Sequence, residues 1–293
     1  MFSLTRKTKE ALLGYTFLLP ALALIYMFVI LPILLSLFYA FTDYYLLWPD
    51  RINFIGLDNF RLIAERGEEV RQVIWNTVRF ALMVIPLQLG LAMATALLVN
   101  RPRKMTLFYR VAFFSPVVLS LVVVSILGLE LVAPDGLINN MIANFGGEPV
   151  DFLGNPSTAM VTIVVLSAWQ GAGFQMLIIL AGLQNINDAL YEAAEIDGAN
   201  KFKQFLHVTL PGLRPTMTFV VIITTIGALK LFVQPMVMTG GGPLGSTRTV
   251  VLYIYQEGFV KRDVGYASAV ALLFTIVVGI ITLMQRRLMR EED

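Results

Sequence analysis

Polar side chains that could bind a hydroxyl-rich ligand lie inside an otherwise apolar segment, residues 158–183. One helical face, defined by i, i+3, i+4 and i+7 spacing, carries Ser167, Gln170, Gly171 and Phe174. An amide and a hydroxyl can hydrogen-bond to the hydroxyls of a sugar, while Phe174 or the neighbouring Trp169 can pack against its C–H face. The alternative is that these polar groups only hold helices together, as buried amides and hydroxyls do in membrane proteins.

Two hydroxyls and one ammonium extend this set of candidates. Ser120 and Thr224 lie at depths where they could contact a solute, although each hydroxyl could equally bond its own backbone. Lys230 lies in a later apolar segment, with Gln234 one turn further on. Because a lone ammonium is costly in lipid, Lys230 faces a cavity, pairs with an acid such as Glu130, or extends towards the membrane surface. A cavity-facing lysine would favour an anionic solute.

A second cluster combines acidic and small residues within residues 184–215. Asn187 or Asp188 can cap a helix whose next residues are strong helix formers, and Gly198 ends that helix. The stripe that this helix presents consists of Leu190, Ala193, Ala194 and Asp197. Small residues on the stripe would let another surface approach closely. A second short helix is predicted over 201–208, capped by Asn200, so the two helices form a knob that a partner protein can grip.

What the sequence lacks excludes several classes of chemistry. It contains no cysteine and one histidine, His207, which excludes disulfides, thiol nucleophiles and clustered His/Cys metal sites. No HExxH pair, GxSxG elbow or Walker-type phosphate loop occurs, and the three glycines at 240–242 lack the Gly-Lys-Ser/Thr of a phosphate loop. We therefore expect no catalytic residue, no bound metal or cofactor and no nucleic-acid partner. We expect residues 240–243 to form a tight turn.

The composition itself indicates a membrane protein. Of 293 residues, 57% are hydrophobic and 14% are charged, against about 25% charged in a typical soluble domain. Six segments have the roughly 17–25 mainly apolar residues that a spanning helix needs. The predicted spans are 12–41, 76–99, 108–131, 158–183, 216–238 and 266–284. The predicted fold is therefore all-α and polytopic, a single domain over residues 1–293, with the 184–215 connection between the fourth and fifth spans.

The distribution of basic residues predicts the orientation. Six spans place both termini on one side, and thirteen lysines and arginines fall in the two tails and the second and fourth connections, against seven in the other connections. Because cytoplasmic segments carry the excess of basic residues, we expect both termini and the 184–215 connection in the cytoplasm. The outer interface would then be marked by Tyr44, Tyr45, Trp48 and Trp75.

The predicted outer connections offer one further surface. Residues 57–71 mix apolar and charged types at helical spacing, with Phe60, Ile63 and Val70 on the apolar side. We expect a short helix lying on the outer surface, either as a solvated element or as a docking site for an external partner.

The acidic and small residues of the 184–215 connection also carry a family resemblance. Glu192-Ala193-Ala194, three residues, Gly198, nine residues and then Val208-x-Leu210-Pro211 resembles the EAA loop in the permease subunits of bacterial ABC importers. Other stretches resemble the carbohydrate-uptake branch of these permeases, which includes maltose-type and glycerol-3-phosphate-type members. These stretches are residues 56–60, 75–77, 239–243 and 265–269.

The resemblance implies a permease subunit in the bacterial cytoplasmic (inner) membrane that forms half of the path for a carbohydrate, or alternatively for glycerol 3-phosphate or another anionic polyol. Its implied partners are a second permease subunit in a heterodimer, two ATPase subunits that bind ATP and magnesium, an extracytoplasmic solute-binding protein and the lipid bilayer. Solute contacts are implied in residues 158–183. The implied coupling residues are Glu192, Ala193, Ala194, Gly198, Leu210 and Pro211, with Glu192 offering a carboxylate to a basic residue of the ATPase.

Overall fold

A computed structural model describes the backbone of residues 6–100 and 106–289, and it describes the exposure of side chains from residue 14 onward. The first eight elements are α1 (Arg6–Ile25), a π-helical turn (Tyr26–Ile30), α2 (Leu31–Tyr39), α3 (Asp58–Glu65), α4 (Gly67–Asn100), α5 (Thr106–Val118), α6 (Leu121–Val132) and α7 (Leu137–Asn144). The next five are α8 (Pro156–Gln184), α9 (Asp188–Ile196), α10 (Lys201–Gln204), a π-helical turn (Phe205–Thr209) and α11 (Leu210–Gly212). The last five are α12 (Arg214–Leu229), α13 (Val233–Met238), α14 (Val250–Tyr255), a π-helical turn (Gln256–Val260) and α15 (Val264–Leu288). The predicted all-α fold class is confirmed.

Six helical segments of the described chain are long and apolar enough to cross a membrane, which confirms the predicted number. They are Gly14–Tyr39, Gly67–Asn100, Leu121–Asn144, Pro156–Gln184, Arg214–Met238 and Val264–Leu288. The second begins at Gly67 rather than at residue 76, and its first turn carries Glu68 and Glu69, whose charges complement the positive end of a helix. Of the charges counted for orientation, those at 101–104 and 290–293 lie outside the described residues.

The third predicted span, 108–131, is wrong as a continuous helix. Two helices, α5 and α6, replace it, and the candidate span starts only at Leu121. The break is at Ser120, whose backbone is extended and whose hydroxyl accepts a hydrogen bond from the N–H of Val123 at 3.3 Å. Such an N-cap satisfies a backbone donor that the start of a helix leaves open, which makes an interruption tolerable in an apolar region.

The fifth predicted span, 216–238, is interrupted as well. Helix α12 ends at Leu229 and α13 begins at Val233. Pro235 lies in the first turn of α13, where its missing N–H removes no helical hydrogen bond. The carbonyl of Leu231, inside the break, accepts a hydrogen bond from Thr249 Oγ1 at 2.7 Å.

The predicted tight turn at residues 240–243 is confirmed, and an unpredicted helix follows it. Gly240 and Gly241 have φ of 62° and 96°, in the region that favours glycine, and the N–H of Gly242 donates to the carbonyl of Thr239 at 3.0 Å. The predicted outer connection after this turn contains α14 and a π-helical turn, which run without interruption from Val250 to Val260.

The loop that follows the turn at 240–243 is held onto α4 by Asn76 and Thr77, two residues of the 75–77 stretch that carries the family resemblance. The amide of Asn76 donates to the carbonyls of Gly245 and Arg248, at 2.7 and 3.0 Å. The hydroxyl of Thr77 accepts from the N–H of Val250 at 3.0 Å, and Glu69 pairs with the Arg248 side chain. Both Asn76 and Thr77 are buried, so their polar groups are satisfied by the loop rather than by water.

The chain divides into two compact units, which are described separately. One comprises the described parts of Met1–Arg66 together with Ile254–Thr275, and the other those of Gly67–Tyr253 and Ile276–Asp293. The single domain predicted over residues 1–293 stays a prediction.

In the first unit, the segment between α2 and α4 is held by side-chain amides. Asn59, buried in α3, donates to the carbonyls of Ala40 and Thr42 at 3.0 and 2.9 Å. Asn53 donates to the carboxylate of Asp43 from its backbone, at 2.7 Å, and from its side chain, at 2.9 Å. These hydrogen bonds stabilise the ionised form and lower the pKa of Asp43, so the Asp43–Asn53 contact weakens as the pH falls through that lowered pKa.

Helix α3 corrects the prediction of one helix over residues 57–71. It ends at Glu65, because Arg66 leaves helical geometry with a ψ of 28°, and the residues from Gly67 onward belong to α4. Arg66 takes part in a buried polar cluster instead. Its guanidinium donates to Glu257 at 3.1 Å and lies 4.5 Å from the ring centroid of Tyr266.

The second unit is built around α8. Helix α4 packs along α8, α5 packs against α8, and α12 contacts both α4 and α8. Of the most apolar window of α8, 56% is buried, against 22% for α4, which places α8 at the centre. Small residues permit the close approach: Ala92 and Ala96 on α4 and Ala168 on α8 are completely buried.

We predict that the buried ion pairs of Glu257 stabilise the first unit. Its side chain is 1% exposed and also accepts a hydrogen bond from Lys261 at 2.6 Å. Because removing one partner leaves buried charge uncompensated, Glu257→Gln should lower the free energy of unfolding by about 3 kcal/mol. The measurement is the thermal unfolding midpoint of the purified protein in detergent.

The matched control is Asp58→Asn, which removes an exposed carboxylate 3.6 Å from Arg61 and should leave the midpoint nearly unchanged. Equal midpoints for the two variants would contradict the prediction.

Candidate functional site

A cavity of about 650 Å³ opens in the second unit, and α8 supplies its most polar wall. The side chains of α8 that line it are Ser167, Gln170, Phe174 and Gln175, beside Gly171. The prediction that Ser167, Gln170, Gly171 and Phe174 share one face of this helix is confirmed. The other walls come from α4, the α5–α6 junction, the end of α12 and the break before α13.

One polar contact crosses the cavity wall between α8 and α12. Gln175 Nε2 donates to Thr224 Oγ1 at 2.5 Å, and that hydroxyl donates to the carbonyl of Val220 at 2.6 Å. Thr224 is 5% exposed and lines the cavity, so the two alternatives for this residue both hold: it bonds its own backbone and it lies in the candidate site.

Two buried polar atoms on this wall have no hydrogen-bond partner among the described residues. They are Ser167 Oγ and Gln175 Oε1, on side chains whose residues are 7% and 4% exposed. A buried polar atom without a partner costs free energy, and most such atoms in folded proteins are paired. Both residues line the cavity, but these two atoms are closed off from it, so a bound solute reaches them only after their side chains rotate.

Gln88 is a lining residue that sequence reasoning missed. It faces α8 from α4, and a Cβ on Gly171 would overlap its side-chain amide. Its signal in the sequence is an amide inside an apolar segment, as for Gln170. That signal alone does not show that the two amides meet, because their approach depends on how α4 and α8 pack.

Two predicted path residues lie elsewhere. Trp169 is 48% exposed and lines a second, almost entirely apolar cavity of about 420 Å³ on another face of α8. Ser120 is exposed and caps α6, and it does not line the first cavity, although its neighbour Leu121 does. The structure therefore does not bring Trp169 and Ser120 together with Ser167, Gln170, Phe174 and Thr224.

Lys230 lies in the break between α12 and α13 and lines the first cavity, as does the buried Gln234. The alternative in which Lys230 pairs with Glu130 is wrong for this structure, because Glu130 is exposed on α6 and no ion pair joins the two. Lys230 is the one charged side chain on the cavity lining formed by the described residues.

The connection between α8 and α12 has the predicted two-helix form. The side chain of Asn187 caps α9 by accepting from the N–H of Ala189 at 3.0 Å, and Asn200 caps α10 by accepting from the N–H of Lys203 at 2.9 Å. Gly198 lies between the helices with a φ of 77°. The second helix continues beyond residue 208, so Leu210 and Pro211 lie in the short helix α11.

Helix α9 presents the surface that the resemblance assigns to coupling. Glu192 and Ala193 are exposed, and Ala194 is half-buried. Ile196 is 87% exposed, an apolar side chain at the tip of the connection that sequence reasoning did not single out. Tyr191 holds the two helices together, since its hydroxyl lies 2.9 Å from Thr209 Oγ1. His207 is exposed near the carbonyl of Lys203, and within the described residues it belongs to no group that could hold a metal.

These features define an all-helical integral membrane protein with an amide- and hydroxyl-lined cavity and a two-helix connection after its fourth span. The chain belongs to the family described as the binding-protein-dependent transport system inner membrane component, whose model matches residues 3–290.

Three comparisons illustrate this membership. The chain is 37% identical over 279 residues to the probable ABC transporter permease protein YesP of Bacillus subtilis (strain 168), covering 94% of this chain and 89% of that one. It is 35% identical over 288 residues to the lactose transport system permease protein LacF of Rhizobium radiobacter, covering 95% and 94%. Among solved structures, a bacterial ABC transporter involved in the import of the acidic polysaccharide alginate matches with a TM-score of 0.86 and 25% identity, over 97% of each chain.

We predict that Gly173 sets the distance between α8 and α5. A Cβ at Gly173 would overlap the carbonyl oxygen of Phe113 and lie 3.1 Å from the Cα of Phe114, both of them backbone atoms of α5. Gly173→Ala should therefore lower the thermal unfolding midpoint in detergent. The matched control is Gly171→Ala, on the same helix, whose Cβ meets only the movable side chain of Gln88. Both variants gain the same intrinsic helix propensity, about 1 kcal/mol, so the difference between them reports the backbone contact. A midpoint for Gly173→Ala that equals or exceeds that of Gly171→Ala would contradict the prediction.

Proposed function

We propose that this chain is the transmembrane permease subunit of a binding-protein-dependent ABC importer and forms half of the path for a carbohydrate. One observation carries the proposal: a chain that aligns almost end to end with a lactose permease encloses a cavity of amides, hydroxyls and phenylalanine rings. Amides and hydroxyls suit the hydroxyls of a sugar, and aromatic rings suit its C–H faces. In this proposal the path residues of α8 and α12 are Ser167, Gln170, Phe174 and Thr224.

The proposed partners are a second permease subunit, two ATPase subunits and an extracytoplasmic solute-binding protein. The family description, which names binding-protein dependence, supports the last of these. The span Gly14–Tyr39 supports a second permease subunit. Its most apolar window contains no buried residue, so its side chains are available to lipid or to another subunit. In this assembly ATP and magnesium are bound by the ATPase subunits, and this chain has no catalytic role and no cofactor of its own.

The proposed coupling surface is the connection between α8 and α12. Ala193 and Ala194 allow close packing in a groove of the ATPase, and Glu192 supplies a carboxylate to a basic partner residue. The exposed Ile196 supports this role, because an apolar side chain at the tip of a polar connection gains free energy when a partner covers it. Gly198 provides the corner between the helices, and Leu210 and Pro211 lead the chain back towards α12.

The proposed orientation places both termini and this connection in the cytoplasm. Its support is the excess of lysine and arginine in the tails and in the second and fourth connections, thirteen against seven. ATP hydrolysis then acts on the same face as the coupling surface.

We predict that Glu192→Lys and Gly198→Asp abolish solute uptake and solute-stimulated ATP hydrolysis while leaving membrane insertion intact. The first reverses the charge offered to the ATPase, and the second adds a side chain at a left-handed corner, which costs about 1–2 kcal/mol and crowds the docking surface. The measurements are uptake and ATPase activity of the transporter complex in proteoliposomes.

The chain contains matched controls for both substitutions. Glu148→Lys reverses an exposed charge outside the coupling connection. Gly146→Asp acts at a glycine with a φ of 82° and open space where a Cβ would lie, as at Gly198. Both controls should keep uptake. Normal uptake by Glu192→Lys and Gly198→Asp would remove the coupling role.

We predict that Gln170→Ala weakens transport without disturbing assembly of the complex. The loss of one hydrogen bond to solute should raise the solute concentration for half-maximal uptake about three- to tenfold. The control is Asn144→Ala, which removes an exposed amide from the end of α7, outside both the cavity and the coupling connection. Unchanged uptake kinetics for Gln170→Ala would assign Gln170 to helix packing alone.

A further inference from the structure

The backbone geometry of the fifth span places an ammonium group within the apolar region. Lys230 ends α12, and its N–H donates to the carbonyl of Ile226 at 3.1 Å. Helix α12 starts at Arg214, so at about 1.5 Å per residue Lys230 lies about 24 Å along the helix axis. It thus lies about two-thirds of the way along the candidate span Arg214–Met238, eight residues before its end.

This ammonium has no counter-charge in the described part of the chain. None of the ion pairs or hydrogen bonds there involves the Lys230 side chain, and the other residues on the cavity lining are uncharged. Charged side chains inside spans are expensive and are almost always paired or turned towards water or a functional pathway. Lys230 is exposed and lines the cavity, so the space in front of it is the space that the solute would occupy.

The uncharged polar groups of the same cavity specify the rest of the ligand. Its amides are Gln88, Gln170, Gln175 and Gln234. These amides provide hydrogen-bonding capacity for hydroxyls, and Ser167 Oγ and Gln175 Oε1 lie unpartnered behind the cavity surface, within reach of a side-chain rotation. Phe80 and Phe174 add apolar surface. A ligand that satisfies every group carries several hydroxyls, an apolar face and one negative charge.

We infer that the solute is an anionic carbohydrate, bearing a carboxylate, phosphate or sulfonate, and that Lys230 selects its charge. This inference rests on the proposed function and deepens it. Lys230 is a specificity-determining residue here: its ammonium forms a charge-assisted hydrogen bond with the anionic group, while the amides and Ser167 bind hydroxyls. A neutral sugar of the same shape would leave the ammonium without a counter-charge and would bind less tightly.

The relatives do not settle this point, because the two named solutes differ in charge. Lactose is neutral, and alginate is an acidic polysaccharide. The inference therefore rests on this chain's own cavity, in which Lys230 is the charged residue on the described lining.

The first experiment measures charge preference in the unmodified system. The cognate binding protein is offered matched pairs: a neutral oligosaccharide and its uronate, a sugar and its phosphate, and a sugar and its sulfonate. The complex in proteoliposomes is then tested for uptake of the solutes that bind. We expect uptake of an anionic member and little or none of its neutral partner. Equal uptake of both members of a pair overturns the inference and leaves the proposed function standing, whereas failure to take up any carbohydrate overturns the proposed function.

The second experiment tests the residue. Lys230→Gln keeps the length and hydrogen-bonding ability of the side chain but removes its charge, and Lys230→Arg keeps the charge. We expect Lys230→Gln to lower uptake of the anionic solute about tenfold or more relative to the neutral one, and Lys230→Arg to restore most of the preference. Co-elution with the partner subunits checks assembly. An unchanged charge preference in Lys230→Gln overturns the inference. Loss of the second permease subunit from the Lys230→Gln complex also overturns it, because the ammonium then pairs with an acid of that subunit.

Discussion

The close packing of α8 against α4 and α5 is the contact on which the second unit depends. Helices in lipid gain little from the hydrophobic effect and associate through close contact between backbones and small side chains. Ala92 and Ala96 on α4 are fully buried, and Gly173 on α8 leaves room for the backbone of α5. The face of α8 that remains open in this arrangement carries Ser167 and Gln170, so the helix at the centre of the core also forms the wall of the cavity.

Interrupted helices supply the rest of the cavity. In an apolar region every backbone donor and acceptor needs a partner, so a break is tolerated where side chains satisfy the freed groups or where it lines a polar space. Ser120 caps the start of α6, and Thr249 bonds the carbonyl of Leu231 in the break after α12. The second break turns Lys230 and Gln234 towards the cavity. Irregular backbone and polar lining thus occur together, as in other transporters whose binding sites use discontinuous helices.

The connection between α8 and α12 is preformed by contacts within itself. Two asparagine caps, Asn187 and Asn200, and the left-handed Gly198 shape the helix ends, and the contact between Tyr191 and Thr209 joins the two helices. The exposed Ile196 and Glu192 are then presented on a surface whose geometry is already defined, which reduces the entropy lost when a partner binds. In the proposed importer such a rigid element suits the transfer of a movement from ATPase subunits to the spans, because a flexible one would absorb the movement.

The sequence by itself determined the helical class, the number of spans, the cap at Asn200 and the shared face of Ser167 and Gln170, because hydropathy, capping and helical periodicity are local properties of the chain. Only the tertiary structure decided which of these residues meet. It added Gln88, moved Trp169 to another cavity, made Ser120 a cap and left Lys230 without Glu130. Each of these outcomes depends on the register between helices and on bonds such as Thr249 to Leu231, eighteen residues apart, which no local pattern specifies.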